Sequence, residues 1–493
     1  MKNGIVYFVG AGPGDPRLIT LKGKQALEEA DVILYDRLAN PKLLEYAQPA
    51  CHFIYCGKLP DRHFMKQEEI NALLIEKASE GLTVVRLKGG DPSVFGRVGE
   101  EAEALHQHGI RYEMVPGITA GIAAPLYAGI PVTHRDFASS FAMITAHDTS
   151  LKGTPNLDWE GLARGVQTLV FYMGVKNLAF ICQQLIAYGK SPSVPVMVIQ
   201  WGTWGRQRSV KGTLMDIHQK AADEQIKNPA IIVIGDIVSF QKHSWFESKP
   251  LIGRHIMMIT SGEEESPIAK ELRENGADVI EWPKWNVQKT PIDENILNRL
   301  ESFEDILFTS RRAVCEFFRM LASKKTDIRQ LRGRLSADSL SAQAELEKRG
   351  FEIASNIQYN GALLIIGEKQ TVKERFHHLD LCSSYDVFIT HENVIDDRFT
   401  SIFKRTIDET PLHLILCENK KCMEQLIREK ERIGVLSGPS KEPIPVVCLS
   451  EEAEETARQY GFPDVHRVKA DGTSLIEYIH NNQHHAEKRL LHS

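Results

Sequence analysis

Short apolar runs recur along the first half of the chain, each closed by a turn. IVYFVG (Ile5 to Gly10) is such a run, rich in β-branched residues, and AGPGDP after it is a turn. LITLKGKQALEEA then places Leu18, Leu21 and Leu27 near helical spacing, and DVILYD begins a second apolar run. This reads as a β-α-β unit, which predicts a parallel sheet. The pattern returns in TVVRLKGGDP (from Thr83), FAMITAH (from Phe141), TLVFYMG (from Thr168), VPVMVIQWG (from Val194) and AIIVIGDIV (from Ala230). Several runs end in glycine beside a small or charged residue. In open α/β sheets, ligands bind beyond the carboxyl ends of the strands.

A polar stretch from Ser239 to His255, with Pro250 and Gly253, marks a boundary, and a new α/β series follows it. IMMIT, ADVIEW, DILFTS, ALLIIG, DVFITH and LHLILC are strand-like. ESPIAKELRENG reads as a helix with Ile268 and Leu272 on its buried stripe and Gly276 as its stop. The two halves share no obvious motif, which indicates fusion rather than duplication. Within the second half, EDILFTSRRAVCEFF and PLHLILCENKKCMEQL look like faint copies of one strand-helix unit. The tail from His480 is polar and is expected to fray.

At 493 residues the chain is too long for one core, and about two to four domains are expected. Hydrophobic content of 42% with 25% charged residues fits a soluble globular enzyme. A net charge of −6 disfavours binding to nucleic acid or to an anionic membrane. The amino-terminal MKNGIVYFVGAGPGDP lacks a signal-peptide pattern, and Asp236 interrupts the most apolar late stretch, so no membrane span is expected. The eight cysteines are scattered with no C-x-x-C pair, which suits a reducing cytoplasm and predicts no structural zinc. His480, His484, His485 and His492 cluster only in the polar tail, and His377 and His378 are adjacent and diverge on most elements; no metal is expected.

GAGPGD (Gly10 to Asp15) invites a dinucleotide reading, with Asp36 downstream at a ribose-like distance. The G-x-G-x-x-G fingerprint needs glycine where Asp15 stands, and a carboxylate there would repel a pyrophosphate. No G-x-x-x-x-G-K-[ST] occurs either. A nucleotide-dependent oxidoreductase is therefore disfavoured. An ordinary tight βα turn remains open for this loop taken alone.

The loops taken together carry more. VYFVGAGPGDPRLITLKGKQAL, ADVILYDRL, GKLPDRHFMKQEEIN, VVRLKGGDPSVFGRVGEE, VPGITAGIAAPLYAGIPVTHRD, FYMG, IQWGTWGRQRSVKGTL and NPAIIVIGDIV resemble, in order and spacing, the uroporphyrinogen-III C-methyltransferases. The resemblance spans residues 1–243. It implies the tetrapyrrole methylase fold, two α/β subdomains with S-adenosylmethionine (SAM) in the cleft between them, and a homodimer. It also implies methylation of two ring carbons of uroporphyrinogen III, giving precorrin-2 and S-adenosylhomocysteine on the route to sirohaem and cobalamin.

By the same resemblance, Pro13, Gly89, Gly90, Asp91, Val94, Thr119, Ala120, Met173, Gly202 and Ala230 occupy SAM-contact positions. Asp91 can pair with the SAM ammonium group; it could equally cap a helix before Pro92. Met173 could equally fill a core. Asp36 and Lys58 match the family's proton acceptor and donor. The attacking ring carbon must shed charge and the macrocycle must move protons, so such groups are needed. Lys58 read alone is a surface lysine. The substrate's eight carboxylates call for a basic cleft, for which Arg37, Arg62, Arg86, Arg97 and Arg135 are candidates, some of them structural partners instead. Ser93 and Val98 depart from the family's usual phenylalanine and glycine, and GKLPDRH differs slightly from its usual loop. None of these removes a proposed chemical group.

Residues 250–482 resemble uroporphyrinogen-III synthase, through PLIGRHIMMITS, ELRENGADVIEWP and EDILFTSRRAVCEFFRML. This implies two α/β lobes, one inserted in the other, and cyclisation of hydroxymethylbilane to the methyltransferase's substrate. The match fades after Arg332. Only Ala344 and its surroundings suggest the family's Gly-Thr-Ala pattern, His391 stands where a tyrosine is common, and LCENKKC replaces a serine-rich strand end. CLSEEAEETARQYG puts glutamates where small residues bind an acidic substrate, and they would repel it. The expectation is a degenerate synthase-like domain. A bifunctional enzyme and a non-catalytic binding or scaffold module are the alternatives, and SEEAEETARQ reads on its own as a solvated helix face.

Overall fold

The computed structural model describes residues 4–57, 65–146, 155–262, 266–354, 359, 361–376, 385–433 and 443–482. The chain forms two compact units. One comprises Met1–Ile259, Ser266–Glu281 and Ser401–Ser493; the other comprises Thr260–Glu265 and Trp282–Thr400.

The first sheet contains β1 (Ile5–Gly10), β2 (Val32–Tyr35), β3 (His52–Tyr55), β4 (Thr83–Lys88) and β5 (Arg111–Val115), in the order β3-β2-β4-β1-β5. All its pairs are parallel. Strands covered on both faces read as unbroken apolar runs, and β2 is buried along its whole length. The connection from β1 runs to β2 in one direction along the sheet, and that from β4 runs to β5 in the opposite direction. The order therefore reverses between β1 and β4, where a ligand crevice opens in doubly wound sheets. The helix Leu21–Glu28 that follows β1 is capped by Thr20, whose hydroxyl accepts the Gly23 N–H at 3.0 Å.

The second sheet contains β6 (Phe141–Thr145), β7 (Thr168–Tyr172), β8 (Pro195–Gln200), β9 (Arg208–Thr213) and β10 (Ala230–Ile234), in the order β6-β7-β10-β8-β9. Here the expectation of a parallel sheet is corrected. Only β6 and β7 are parallel; β10 runs antiparallel to both β7 and β8, and β9 returns antiparallel beside β8.

The second half contributes β11 (His255–Ile259), β12 (Asp278–Trp282), β13 (Trp285–Lys289), β14 (Asp305–Phe308), β15 (Arg334–Ala337), β16 (Leu363–Glu368), β17 (Tyr385–Ile395), β18 (Leu414–Cys417), β19 (Val446–Cys448) and β20 (Val465–Arg467). They form two sheets, ordered β12-β11-β18-β19-β20 and β13-β17-β16-β14-β15. The chain leaves the first of these after β12, builds the second, and returns at β18. The expected helix is Pro267–Glu274; the Ser266 hydroxyl caps it, Ala269 and Leu272 are buried, and Gly276 follows it with φ 102°. The paired strand-helix units are β14 with Arg311–Ser323 and β18 with Lys420–Ile433, one in each sheet.

Candidate functional site

The loops after β1, β4 and β5 meet where backbone alone fits. A Cβ on Gly117 would lie 2.4 Å from the Gly90 carbonyl oxygen and 2.8 Å from the Gly10 Cα. Gly12 and Gly90 exchange backbone hydrogen bonds of 3.1 and 2.8 Å, and both have positive φ, 73° and 70°. Such close backbone approach lets a ligand contact main chain directly. Pro13, Gly89 and Gly90 are half-buried in this crossing.

Asp15, the residue that breaks the dinucleotide fingerprint, fastens this loop. Its N–H donates to Thr203 Oγ1 at 3.0 Å, and its carboxylate accepts from Arg17 Nη2 at 2.9 Å and Tyr127 Oη at 3.1 Å. Burial opposes ionisation, but the Arg17 hydrogen bonds and charge outweigh it and hold the Asp15 pKa below its ordinary value. No motif in the sequence pointed to this role; the failed glycine position was the one available signal.

Asp91 braces its own loop. Its Oδ1 accepts from the Ser93 N–H at 2.7 Å and the Ser93 hydroxyl at 2.5 Å, and its Oδ2 accepts from the Gly117 N–H at 3.0 Å. Val94, half-buried, closes the turn with its N–H on the Asp91 carbonyl at 3.1 Å. Thr119 is buried at the start of the helix Ala120–Tyr127. Its Oγ1 lies 2.6 Å from Tyr172 Oη, which also accepts the Gly121 N–H at 2.6 Å. Tyr172, the last residue of β7, thereby ties the second sheet to the loop of the first.

Met173 follows Tyr172 and is not core: it is 44% exposed with φ 55°. Of the seven non-glycine residues with positive φ among those described, Phe95, Arg97, Met173, Trp201 and Thr203 lie in these strand-end loops. Left-handed backbone at such residues is costly and clusters where ligands bind. Gly202 sits between two of them, and a Cβ there would come 2.2 Å from that of Ala124. Ala230 starts its strand yet belongs to the same end of the sheet. Because β10 is antiparallel, Ala230 pairs with Gln200 and Ile231 with Tyr172, at the carboxyl ends of β8 and β7.

Asp36 follows β2 and accepts a 2.6 Å bond from Arg86 Nη2. Arg86 is almost fully buried, and its Nε donates to Glu101 at 3.2 Å. Lys88 Nζ bonds both Glu101 oxygens, at 2.9 and 2.8 Å. Burial and the neighbouring Arg86 charge push the Lys88 pKa down; in Arg86, burial works against the proton but the Asp36 and Glu101 charges raise its pKa. Arg86 is thus a structural ion-pair residue. Arg97 pairs with Glu100 at 2.7 Å, Arg37 reaches Glu409 at 3.8 Å, and Arg135 is exposed. Lys58 and Arg62 lie outside the described residues. Beyond Lys58, the site positions quoted above converge on one end of the two sheets, and Asp36 lies at that end too.

In the second half His391 is buried, and burial lowers its pKa; its Nδ1 lies 2.8 Å from Thr390 Oγ1. Ser450 caps the helix Glu451–Gln459, where Glu451, Glu452 and Glu455 are exposed and Glu454 accepts from Arg458 at 2.9 Å. Three glutamates in a first turn complement the helix dipole and disfavour a second anion there. Among the described residues no group of three His, Cys, Asp or Glu could hold a metal, and no helix is long and apolar enough to cross a membrane. His377, His378, His484, His485 and His492 lie outside the described residues.

The family described as Tetrapyrrole (Corrin/Porphyrin) Methylases matches residues 5–218. A uroporphyrinogen-III C-methyltransferase of Bacillus subtilis (strain 168) is 69% identical over 493 residues, covering 100% of both chains. The porphyrin biosynthesis protein HemD of Ruminiclostridium josui is 33% identical across 97% of this chain and 98% of its own. A crystal structure of uroporphyrin-III C-methyl transferase from Thermus thermophilus, complexed with S-adenyl homocysteine, is 40% identical over 48% of this chain and 100% of that one, with a TM-score of 0.41.

Proposed function

The chain belongs to the uroporphyrinogen-III C-methyltransferase family, and from that premise we propose how its parts divide the work. Its activity is SAM-dependent C-methylation of uroporphyrinogen III, giving precorrin-2 and S-adenosylhomocysteine for sirohaem or cobalamin synthesis. The observation that carries this is the full-length relative of 69% identity. Methylated product from the purified chain, SAM and uroporphyrinogen III under reducing conditions tests it; no product sinks it.

The donor's needs fit the residues present. The glycine crossing at Gly10, Gly90 and Gly117 leaves main chain exposed to a nucleoside, and the exposed Met173 offers an apolar edge. Pro13, Gly89, Gly90, Val94, Thr119, Ala120, Met173, Gly202 and Ala230 line the site, and Asp91 keeps acceptor capacity on Oδ2 for an ammonium group. When bound, SAM supplies an electrophilic methyl group. Asp36 takes the proton that the methylated ring sheds, held in place by Arg86. Lys58 returns a proton or pairs with a substrate carboxylate.

Residues 1–243 form the methyltransferase domain and 250–482 a synthase-like domain that has lost its own activity. The glutamates at the Ser450-capped helix support that loss. Conversion of hydroxymethylbilane to the type III isomer by the full chain, above spontaneous type I closure, would overturn it. The protein is a cytoplasmic homodimer through the methyltransferase domain. An apolar stripe of Ile118, Ile122 and Leu126, each 38–52% exposed, supports the dimer.

A further inference from the structure

The helix Thr400–Glu409 belongs to the second half of the chain, yet it reaches the methyltransferase site. It buries Ile402 and Phe403 and carries Arg405 to the carboxyl ends of β2 and β3. The Arg405 guanidinium lies 3.7 Å from the Tyr55 ring centroid and 5.5 Å from that of Tyr35, and its Nη2 donates to Tyr35 Oη at 3.2 Å. Tyr35 and Tyr55 are register partners that end their strands, with ring centroids 5.4 Å apart. Tyr35 immediately precedes Asp36, and Tyr55 lies three positions before Lys58.

Among the described residues Arg405 has no carboxylate within ion-pair distance. The nearby acid, Glu409, faces Arg37 at 3.8 Å, and Arg37 in turn lies 6.0 Å from the Trp201 ring centroid beside Gly202. At this rim the Glu409 carboxylate pairs with Arg37, not with Arg405. The tyrosine rings hold Arg405 in a fixed plane, while only one of its five N–H groups bonds a described residue. A planar cation, pre-oriented and without an acidic partner among the described residues, suits bidentate capture of a carboxylate. A purely structural lock on two tyrosine rings would be met by an apolar side chain of similar length.

Resting on uroporphyrinogen III as the substrate, we infer that Arg405 binds one of its carboxylates, so that the second half of the chain completes the methyltransferase's substrate site. The second domain then serves the first as part of its binding surface, whatever chemistry it has lost.

The test uses the full chain with R405A, R405M and R405K, varying uroporphyrinogen III and SAM separately and recording thermal unfolding. Arg405→Met keeps length and apolar contact but removes the charge. The expected result is a rise of about tenfold in KM for the tetrapyrrole in R405A and R405M. The KM for SAM and the unfolding temperature of R405M stay near wild type, and R405K is intermediate. Added salt should raise the tetrapyrrole KM more steeply in the wild type than in R405M. An unchanged tetrapyrrole KM overturns the inference. So does a parallel loss of both affinities together with a lowered unfolding temperature in R405M, which would mark a structural lock. Failure of the wild type to methylate would overturn the substrate assignment itself; normal wild-type turnover matched by R405M would overturn only the role of Arg405.

Discussion

Tyr172 places its hydroxyl 2.6 Å from both Thr119 Oγ1 and the Gly121 nitrogen, so the end of one sheet holds the first turn of a helix that follows the other. Removing that hydroxyl leaves a buried threonine and a backbone donor short of a partner. Tyr172→Phe is expected to weaken SAM binding about tenfold and to lower stability by about 1–2 kcal/mol. Calorimetric titration with SAM and urea unfolding check the two effects; unchanged affinity would remove Tyr172 from the site.

The Asp91 carboxylate braces its turn through Ser93 and Gly117, and its proposed second task is to face the donor's ammonium group. Asp91→Asn keeps an oxygen for the Ser93 contacts and discards the charge. Its SAM affinity should fall about tenfold while its unfolding midpoint moves little. A large drop in stability with affinity intact would make Asp91 a turn residue alone.

Asp36 and Arg86 should separate chemistry from scaffold. Asp36→Asn leaves an acceptor for Arg86 and is expected to cut kcat by two orders of magnitude or about that, with SAM affinity unchanged. Arg86→Met leaves the buried Glu101 with Lys88 and the neutral Gln67 amide as its described partners and should cost about 3–5 kcal/mol of stability. Equal kcat in wild type and D36N would dismiss the base.

A histidine pair at the foot of the third sheet, His255 buried and His413 half-buried, sets an acid limit. His413 Nδ1 accepts the His255 N–H at 3.0 Å, and burial pushes both ring pKa values down to about 4 from an ordinary 6.5. The unfolded chain therefore binds protons more readily between those values. The stability these neutral rings allow is full above about 6.5 and is lost as pH falls toward 4. At pH 5 the loss should be about 2 kcal/mol for each ring. Urea midpoints at pH 7 and pH 5 should fall further apart in wild type than in His413→Gln; identical pH dependence would contradict the burial argument.

Much of this was legible in the sequence because parallel strands buried on both faces are unbroken apolar runs. Ile5–Gly10, Val32–Tyr35 and Thr83–Lys88 were read that way and form the sheet that carries the site. Half-exposed edge strands escaped: β9, RSVKGT, has no fully buried residue, and neither has β13, WNVQK. Strand direction escaped as well, since an apolar run reads alike in parallel and antiparallel company. Ala230 is therefore a candidate by family resemblance alone, and the reversal of β10 explains why the first residue of a strand lies beside the carboxyl ends of β7 and β8. Arg86 looked available to a substrate because its burial depends on Glu101, on a helix beyond the next loop. The left-handed backbone of Met173 and Trp201 left no sign in residue type, and Arg405 lies so far along the chain that no local pattern could connect it with Asp36.

The loop after β8 is anchored at its far end in the second half of the chain. The Gly205 N–H bonds Asp278 Oδ1 at 2.8 Å and its carbonyl accepts the Gly253 N–H at 2.6 Å, while a Cβ on Gly205 would meet the Asp278 nitrogen at 2.6 Å. Such a seam has a concentration as well as a geometry. Along one chain the anchor is always present at high effective concentration; encoded as two genes, the halves would have to find each other by diffusion and the loop would sit unmoored at ordinary protein levels. A fusion of this kind is hard to reverse, which gives selection a reason to keep the second domain that does not depend on any chemistry of its own.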